Sequence, residues 1–236
     1  MKKKIAVFTG AGVSKESGIP TYRDSMDSLW VKHNVDDCAT VEGWNKDREK
    51  VLEFHHTLRK EMLKKEPNDA HKFIAELEKD FNVTVITQNI DVLHEAGGSK
   101  NVIHLHGRLD QSKSTVDPNL VYNLANDEKI EIGDKCEKES QLRYNTVLFG
   151  DPLPRKAFKS AASAMEEADI LIIVGSSLQV YPAAGLIGNF KGEHIYVIDP
   201  GKVMLAPGED KTFIVEPATR GMRWLKDKLT ESSPKE

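Results

Sequence analysis

Two histidines, His104 and His106, alternate in the run VIHLHG, so on a strand they share one face. An imidazole there can serve as a general base, hold a metal or fill a polar gap, and the pair alone does not choose among these. The run TQNID (87–91) directly follows an apolar stretch. The amides of Gln88 and Asn89 and the carboxylate of Asp91 suit hydroxyls and a carboxamide, although Asp91 equally suits the cap of a following helix. Gly10-Ala11-Gly12 ends the first apolar run, where glycines let the backbone turn and approach a phosphate; strand-to-helix turns also use them without a ligand. Gly175-Ser176-Ser177 ends the most apolar run of the chain. The G-x-G-x-x-G spacing of hydride-transferring dehydrogenases is not met, because its third position is Lys15 and the next glycine is Gly18; no G-x-x-x-x-G-K-[ST] loop occurs.

These groups need elements to hold them. Short β-branched runs at 5–9, 83–87, 146–149, 170–174, 195–198 and 213–215 predict strands, and their continuous apolar character implies burial on both faces. Helical spacing joins Val51, Phe54, Leu58 and Met62, and again Ala70, Phe73, Ile74 and Leu77, with Asn68 or Asp69 as N-cap. Further helices are predicted at 157–168 and 222–229. The alternation predicts an α/β protein: a doubly wound parallel-sheet (Rossmann-like) large domain from residues 1–24, 80–108 and 147–236. Residues 25–79 and 109–146 are predicted to be two insertions forming a smaller lobe.

The 236 residues carry a net charge of −4 and are 39% hydrophobic and 30% charged, which gives no electrostatic case for nucleic-acid binding. No apolar run approaches the roughly 18 to 20 residues that span a bilayer, so no membrane segment is expected. The run 5–8 behind the N-terminal lysines is too short for a signal sequence. Cys38 and Cys136 are the two cysteines and suggest no secreted disulfide framework. A reduced, cytoplasmic, monomeric protein is expected.

Taken whole, GAGVSKESGIPTYRD (10–24) resembles the cofactor loop of the sirtuin family, G-A-G-x-S-x-x-S-G-I-P-x-F-R, with Tyr22 in place of Phe. The other motifs follow in family order: TQNID, the L-H-G ending at Gly107, and GSSLQVYPA from Gly175. The resemblance covers residues 4 to about 229 and fades over 109–142. It implies an enzyme that uses NAD to deacylate protein lysines. It implies cofactor contacts from Gly10, Ala11, Gly12, Ser14, Ser17, Ile19, Pro20, Tyr22, Arg23, Gln88, Asn89, Ile90, Asp91, His106, Gly175, Ser176 and Ser177, with Asp199 and Ala218 on the adenosine side. Asp199 stands where the family has Asn, and Glu216 replaces the glycine of the stretch around Ala218. The catalytic set it implies is His106, Asn89, Asp91 and Arg23, with His106 as base and His104 without a role. The mechanism the resemblance implies is that the acyl oxygen attacks the nicotinamide ribose, His106 takes a proton from a ribose hydroxyl, and the acyl group ends on ADP-ribose. Val180 is implied to pair with the substrate peptide as an added strand.

Two departures matter. Most sirtuins hold a structural zinc with two C-x-x-C pairs, but 109–146 contains only Cys136 and no histidine, so no zinc is expected. Leu120, Val121, Tyr122, Leu124, Ile130 and Ile132 are expected to hold that lobe instead. The Y-x-x-R pair that binds carboxylate-ended acyl groups in many bacterial members aligns with His55 and Leu58; Arg59 is adjacent but about 100° further round a helix. An acetyl or other uncharged acyl group is therefore expected. The same NAD site could instead serve an NAD hydrolase, a protein ADP-ribosyltransferase or a non-enzymatic NAD sensor.

Overall fold

The computed structural model describes residues 2–21, 35–205 and 210–231. Six strands form one wholly parallel sheet: β1 (Lys4–Thr9), β2 (Asn82–Thr87), β3 (Val102–His104), β7 (Ile170–Val174), β8 (His194–Ile198) and β9 (Lys211–Ile214), in the order β3-β2-β1-β7-β8-β9. Three more, β4 (Gly107–Ser114), β5 (Val121–Asn123) and β6 (Leu142–Thr146), make a small antiparallel sheet in the order β5-β4-β6.

The two faces of the large sheet explain its apolar runs. Along β1, Ile5 and Val7 join a core with Val83, Val85, Ile172 and Ile198, covered by the Asp69–Glu76 and Ala218–Glu231 helices. Ala6 and Phe8 join the opposite core with Ile86, Leu171, Ile173 and Val197, beneath the Arg155–Glu167 helix. Successive side chains thus enter opposite cores, and neither face can be polar. A third core gathers Cys38, Trp44, Val51, Leu52, Phe54, Leu58, Leu109, Ile130, Tyr144 and Leu148, which joins the Arg48–Met62 helix to the small sheet.

Several expectations are corrected. The strand near 146–149 lies at Leu142–Thr146, because Tyr144 and Thr146 alternate inward as β6 pairs with β4. Val147 and Phe149 instead donate their N–H groups to His106 O and Ala39 O. The Asp69–Glu76 helix, expected in the small lobe, packs on the large sheet because Ala70, Ile74 and Leu77 all face it. Leu148, expected with the large domain, belongs to the small lobe's core. Of the residues expected to hold that lobe, Ile130 is buried and Leu124 partly so, but Val121 and Ile132 are exposed.

Much of the lobe's order comes from Arg59. Its side chain is fully buried and donates through Nη1 to Asn126 O (3.0 Å) and Glu128 O (3.2 Å), and through Nη2 to Ala125 O (2.7 Å) and Leu124 O (3.4 Å). One guanidinium therefore satisfies four carbonyls of a loop that has no strand partner for them.

Candidate active site

The strand register sets the site. Thr9 pairs with both Thr87 and Val174, Thr87 with His104, and Val174 with Ile198, so five strands end in one row. The motif residues leave the sheet from that row: Gly10 after β1, Gln88 after β2, His106 beyond β3, Gly175 after β7 and Asp199 after β8. The chain order reverses between β1 and β7, and the crevice at such a switch point is where open α/β sheets take ligands.

At that point two loops meet backbone to backbone. Gly10 N donates to Val174 O (3.2 Å) and Gly12 N to Gly175 O (2.9 Å). A Cβ on Gly12 would lie 2.6 Å from Gly175 Cα, and one on Gly175, at φ +60°, would lie 2.3 Å from Val13 N. These glycines are required by loop packing before any ligand is considered.

His106 is half-buried, and its Nδ1 lies 2.9 Å from Gln88 O. A carbonyl only accepts, so Nδ1 carries the proton and neutral Nε2 keeps a lone pair for a substrate proton. Burial pushes the imidazole below its ordinary pKa, and the bond to Gln88 O offsets part of that. Val147 N holds the His106 carbonyl from the small-lobe side. Gln88 Nε2 reaches Ser176 Oγ at 3.5 Å, which links the ends of β2 and β7.

Behind His106 lies a buried polar cluster. Ser14 Oγ donates to Asp91 Oδ2 (3.0 Å) and accepts from Asn89 Nδ2 (3.1 Å). Asp91 Oδ1 accepts from Leu93 N at 3.1 Å. Burial pushes the Asp91 carboxyl above the usual range, against the opposing bonds from Leu93 N and Ser14. Asn89 N–H bonds Thr87 Oγ1 (3.0 Å), and His104 Nδ1 donates to Asn89 O (3.1 Å). His104 Nε2 meets Glu95 Oε1 at 2.9 Å. His104 thus props the loop that carries Asn89, a part the motif did not assign.

The structure brings Gly10, Gly12, Ser14, Gln88, Asn89, Asp91, His106, Gly175 and Ser176 together. Ser17 Oγ accepts from Asn68 Nδ2 at 3.0 Å, and buried Ile19 donates its N–H to Ser14 O. Ile90 packs against the small-lobe core, so it lies where the lobes meet. Asp199 uses Oδ1 to accept from Gly201 N at 2.7 Å, and Ala218 is buried in the core at the start of the last helix. Tyr22 and Arg23 lie outside the described residues.

The expected substrate residues are dispersed. His55 is buried in the small lobe, with Nδ1 on Val51 O (2.9 Å) and Nε2 near Thr146 Oγ1 (3.2 Å), and Leu58 lies in the same core. Val180 stands on an exposed bend, where its carbonyl accepts from Ala184 N at 3.0 Å. That bond takes one main-chain group an added strand would need. Sequence reasoning missed His71, His94 and Thr9 and gave Asn68 only as a helix cap; all four sit beneath the cluster. Their only signal was the capping-box spacing of Asn68 and His71.

This architecture defines a two-lobed α/β protein with a dinucleotide-type crevice and an oriented imidazole base at its edge. The chain belongs to the Sir2 family, whose model matches residues 10–182. It is 44% identical over 230 residues to an NAD-dependent protein deacylase of Helicobacter pylori (strain ATCC 700392 / 26695), covering 97% of this chain and 98% of that protein. A protein of the same description from Bacteroides thetaiotaomicron is 42% identical over 232 residues, covering 96% and 98%. Among solved structures, an ADP-ribose complex of a Sir2 homologue variant superposes with a TM-score of 0.86 at 36% identity, covering 99% of this chain and 96% of that one. A Sir2 homologue bound to NAD gives 0.85 at 36% identity, covering 98% and 91%.

Proposed function

We propose that this chain is an NAD-dependent protein-lysine deacylase, releasing nicotinamide and transferring the acyl group to ADP-ribose. The observation that carries this reading is the His106 imidazole, held at Nδ1 by Gln88 O in the same row of strand ends as Asn89, Asp91 and the Gly10–Gly175 contact. NAD fits the donor set: glycine backbone for a pyrophosphate, amides and a carboxyl for ribose and carboxamide. When bound, it supplies the acceptor of the acyl group and the nicotinamide leaving group. His106 Nε2 takes the proton of the attacking hydroxyl. Asn89 and Asp91, fixed through Ser14, orient the nicotinamide side. The motif assigns Tyr22 and Arg23 to shield that side from water.

The acyl group is proposed to be uncharged. Leu58 offers no charge, and burial holds His55 near a pKa of about 4, so it stays neutral at pH 7. The small lobe is proposed to do without zinc. Cys136 Sγ is engaged by Ser114 Oγ (3.3 Å) and Ser140 Oγ (3.2 Å), and no group of three or more metal-ligating side chains occurs among the described residues. No described helix is long and apolar enough to cross a membrane. A monomer in the cytoplasm is proposed.

Mass spectrometry of products from NAD and a panel of acylated lysine peptides tests this reading. Acyl-ADP-ribose with free nicotinamide is the expected result. Free ADP-ribose alone would make the protein a hydrolase, and label on protein a transferase. Metal analysis of the purified protein tests the zinc reading.

A further inference from the structure

The proposed base, His106, sits in a turn between the lobes. Just before it, Leu105 N donates to Thr87 O (2.9 Å) at the edge of the large sheet. Just after it, Gly107 opens β4 opposite Thr146 of the small sheet. Gly107 makes the turn at φ +79°, where an added Cβ would lie 1.9 Å from Asn145 O. The chain that carries the base therefore changes lobe across a glycine joint, which leaves its aim to the side chains on either side.

Those side chains meet on one atom. His104, two residues before the base, brings Nε2 to 2.9 Å from Glu95 Oε1. Arg108, two residues after it, brings Nη1 to 3.2 Å from the same oxygen. Glu95 stands on the short Leu93–Ala96 helix of the large lobe, just beyond the loop that bears Asn89 and Asp91. The far ends of this bridge are anchored too. His104 Nδ1 donates to Asn89 O (3.1 Å), and Arg108 holds Asp110 through Nε (2.9 Å) and Nη2 (2.6 Å). Both His104 nitrogens face oxygens that only accept, so the ring bonds both only when doubly protonated. Burial works against a charge on Glu95, but the bond from His104 and the charges of His104 and Arg108 hold its carboxyl below the usual range. Its Oε2 is buried with no hydrogen-bond partner among the described residues. A carboxylate placed for its own solvation would turn that oxygen outward; this one is held by what Oε1 grips.

We infer that Glu95 is a positioning residue of the base: by gripping His104 and Arg108 with one oxygen, it fixes the turn that carries His106 between the lobes and keeps the imidazole on its bond to Gln88 O. This rests on the reading of His106 as the base. Without the grip, the Gly107 joint lets His106 swing while the edge of the large sheet stays in place. The loss then falls on proton transfer rather than on cofactor binding.

Three substitutions isolate the bridge. Glu95→Gln removes its charge at nearly constant shape, and Arg108→Met removes its small-lobe end. Asp110→Asn weakens the neighbouring ion pair and leaves both contacts of Glu95 in place. Steady-state deacylation with NAD and an acetyl-lysine peptide is measured for each, for Glu95→Gln/Arg108→Met and for His106→Ala, at a temperature where circular dichroism shows the variants folded. The expected result is that Glu95→Gln lowers kcat by about tenfold, with KM for NAD and for peptide within about twofold of wild type, the pattern of a displaced catalytic group. Arg108→Met should lose a similar factor, and the double variant little more than either, because both act through one oxygen. Asp110→Asn should keep kcat within about twofold of wild type. Should Glu95→Gln fail to fold, Arg108→Met carries the same test from the other side.

Wild-type kcat in Glu95→Gln beside an inactive His106→Ala would overturn the inference and leave the base in place. So would an equal loss in Asp110→Asn, because then any ion pair of this strand would serve. A loss in the double variant equal to the product of the single losses would overturn it too, because the two residues would then act separately. Turnover near wild type in His106→Ala would remove the reading of the base, and this inference with it.

Discussion

The large lobe and the small lobe are ordered by different means. In the large lobe, parallel strands in register deliver Gly10, Gln88, His106, Gly175 and Asp199 to one edge, so backbone hydrogen bonds set the geometry. In the small lobe, a short three-stranded sheet leaves a loop whose carbonyls converge on the Arg59 guanidinium. The candidate site is thus placed by a repetitive scaffold, while much of the small lobe's order depends on one side chain. Changes in the first lobe should alter turnover at intact stability. Changes in the second should alter stability first.

The largest expected effect tests the first half of that contrast. His106→Ala should lower kcat by about 10² to 10⁴, the usual contribution of a positioned general base, with NAD affinity and unfolding midpoint near wild type. Isothermal titration with NAD beside steady-state rates checks this. Turnover within tenfold of wild type would remove His106 from its role.

Arg59→Met tests the other half. The variant keeps the aliphatic stem and removes the guanidinium from four carbonyls, of which only Ala125 O keeps a bond from Glu128 N, with an expected loss of about 3 to 5 kcal/mol in denaturant unfolding. At temperatures where the variant stays folded, NAD affinity should change little, because the Gly10–Gly175 contact and Ser14 cluster lie on the large sheet. A loss under about 1 kcal/mol would mean that the apolar core, not the guanidinium, holds the lobe.

The same contrast decided what the sequence revealed. Ile5–Phe8 and residues 170–174 read as buried strands because backbone periodicity writes itself into residue types, and the motifs were legible at their ends. Ile132 looked like core and is exposed, whereas Arg59, read only as lying about 100° round the helix from Leu58, is buried. A side chain that binds four carbonyls leaves no periodic trace, since any loop supplies carbonyls. His71 was hidden for a similar reason. It occupies the N3 position of an ordinary capping box, and only the fold brings Ser14 to its other nitrogen.

Acid should weaken both lobes through histidines buried in the neutral form. His55 in the small lobe and His71 in the large each have a folded pKa of about 4 against about 6.5 when exposed. Between those values the unfolded chain binds more protons, so stability is complete above pH 6.5 and falls as pH drops toward 4. Each site is worth on the order of 3 kcal/mol across that window. Urea unfolding at pH 7.5, 6, 5 and 4 should show this decline, and His55→Leu should flatten part of it. A stability flat from pH 7.5 to 4 would show that neither ring is held neutral by burial.

The smallest effect concerns catalysis within that window. Burial pushes the His106 imidazole below its ordinary pKa, and the bond to Gln88 O opposes that shift. As the proposed base, His106 must be neutral to accept a proton, so the acid limb of kcat/KM should bend below pH 6.5 rather than at it. Because global stability also declines there, the rates need measuring at a temperature where circular dichroism shows the chain folded throughout. An acid limb above pH 6.5 would mean that a neighbouring negative charge outweighs burial at His106. The Asp91 carboxyl of the cluster is itself pushed up by burial and already shared between Leu93 N and Ser14, so it is a poor source of that charge.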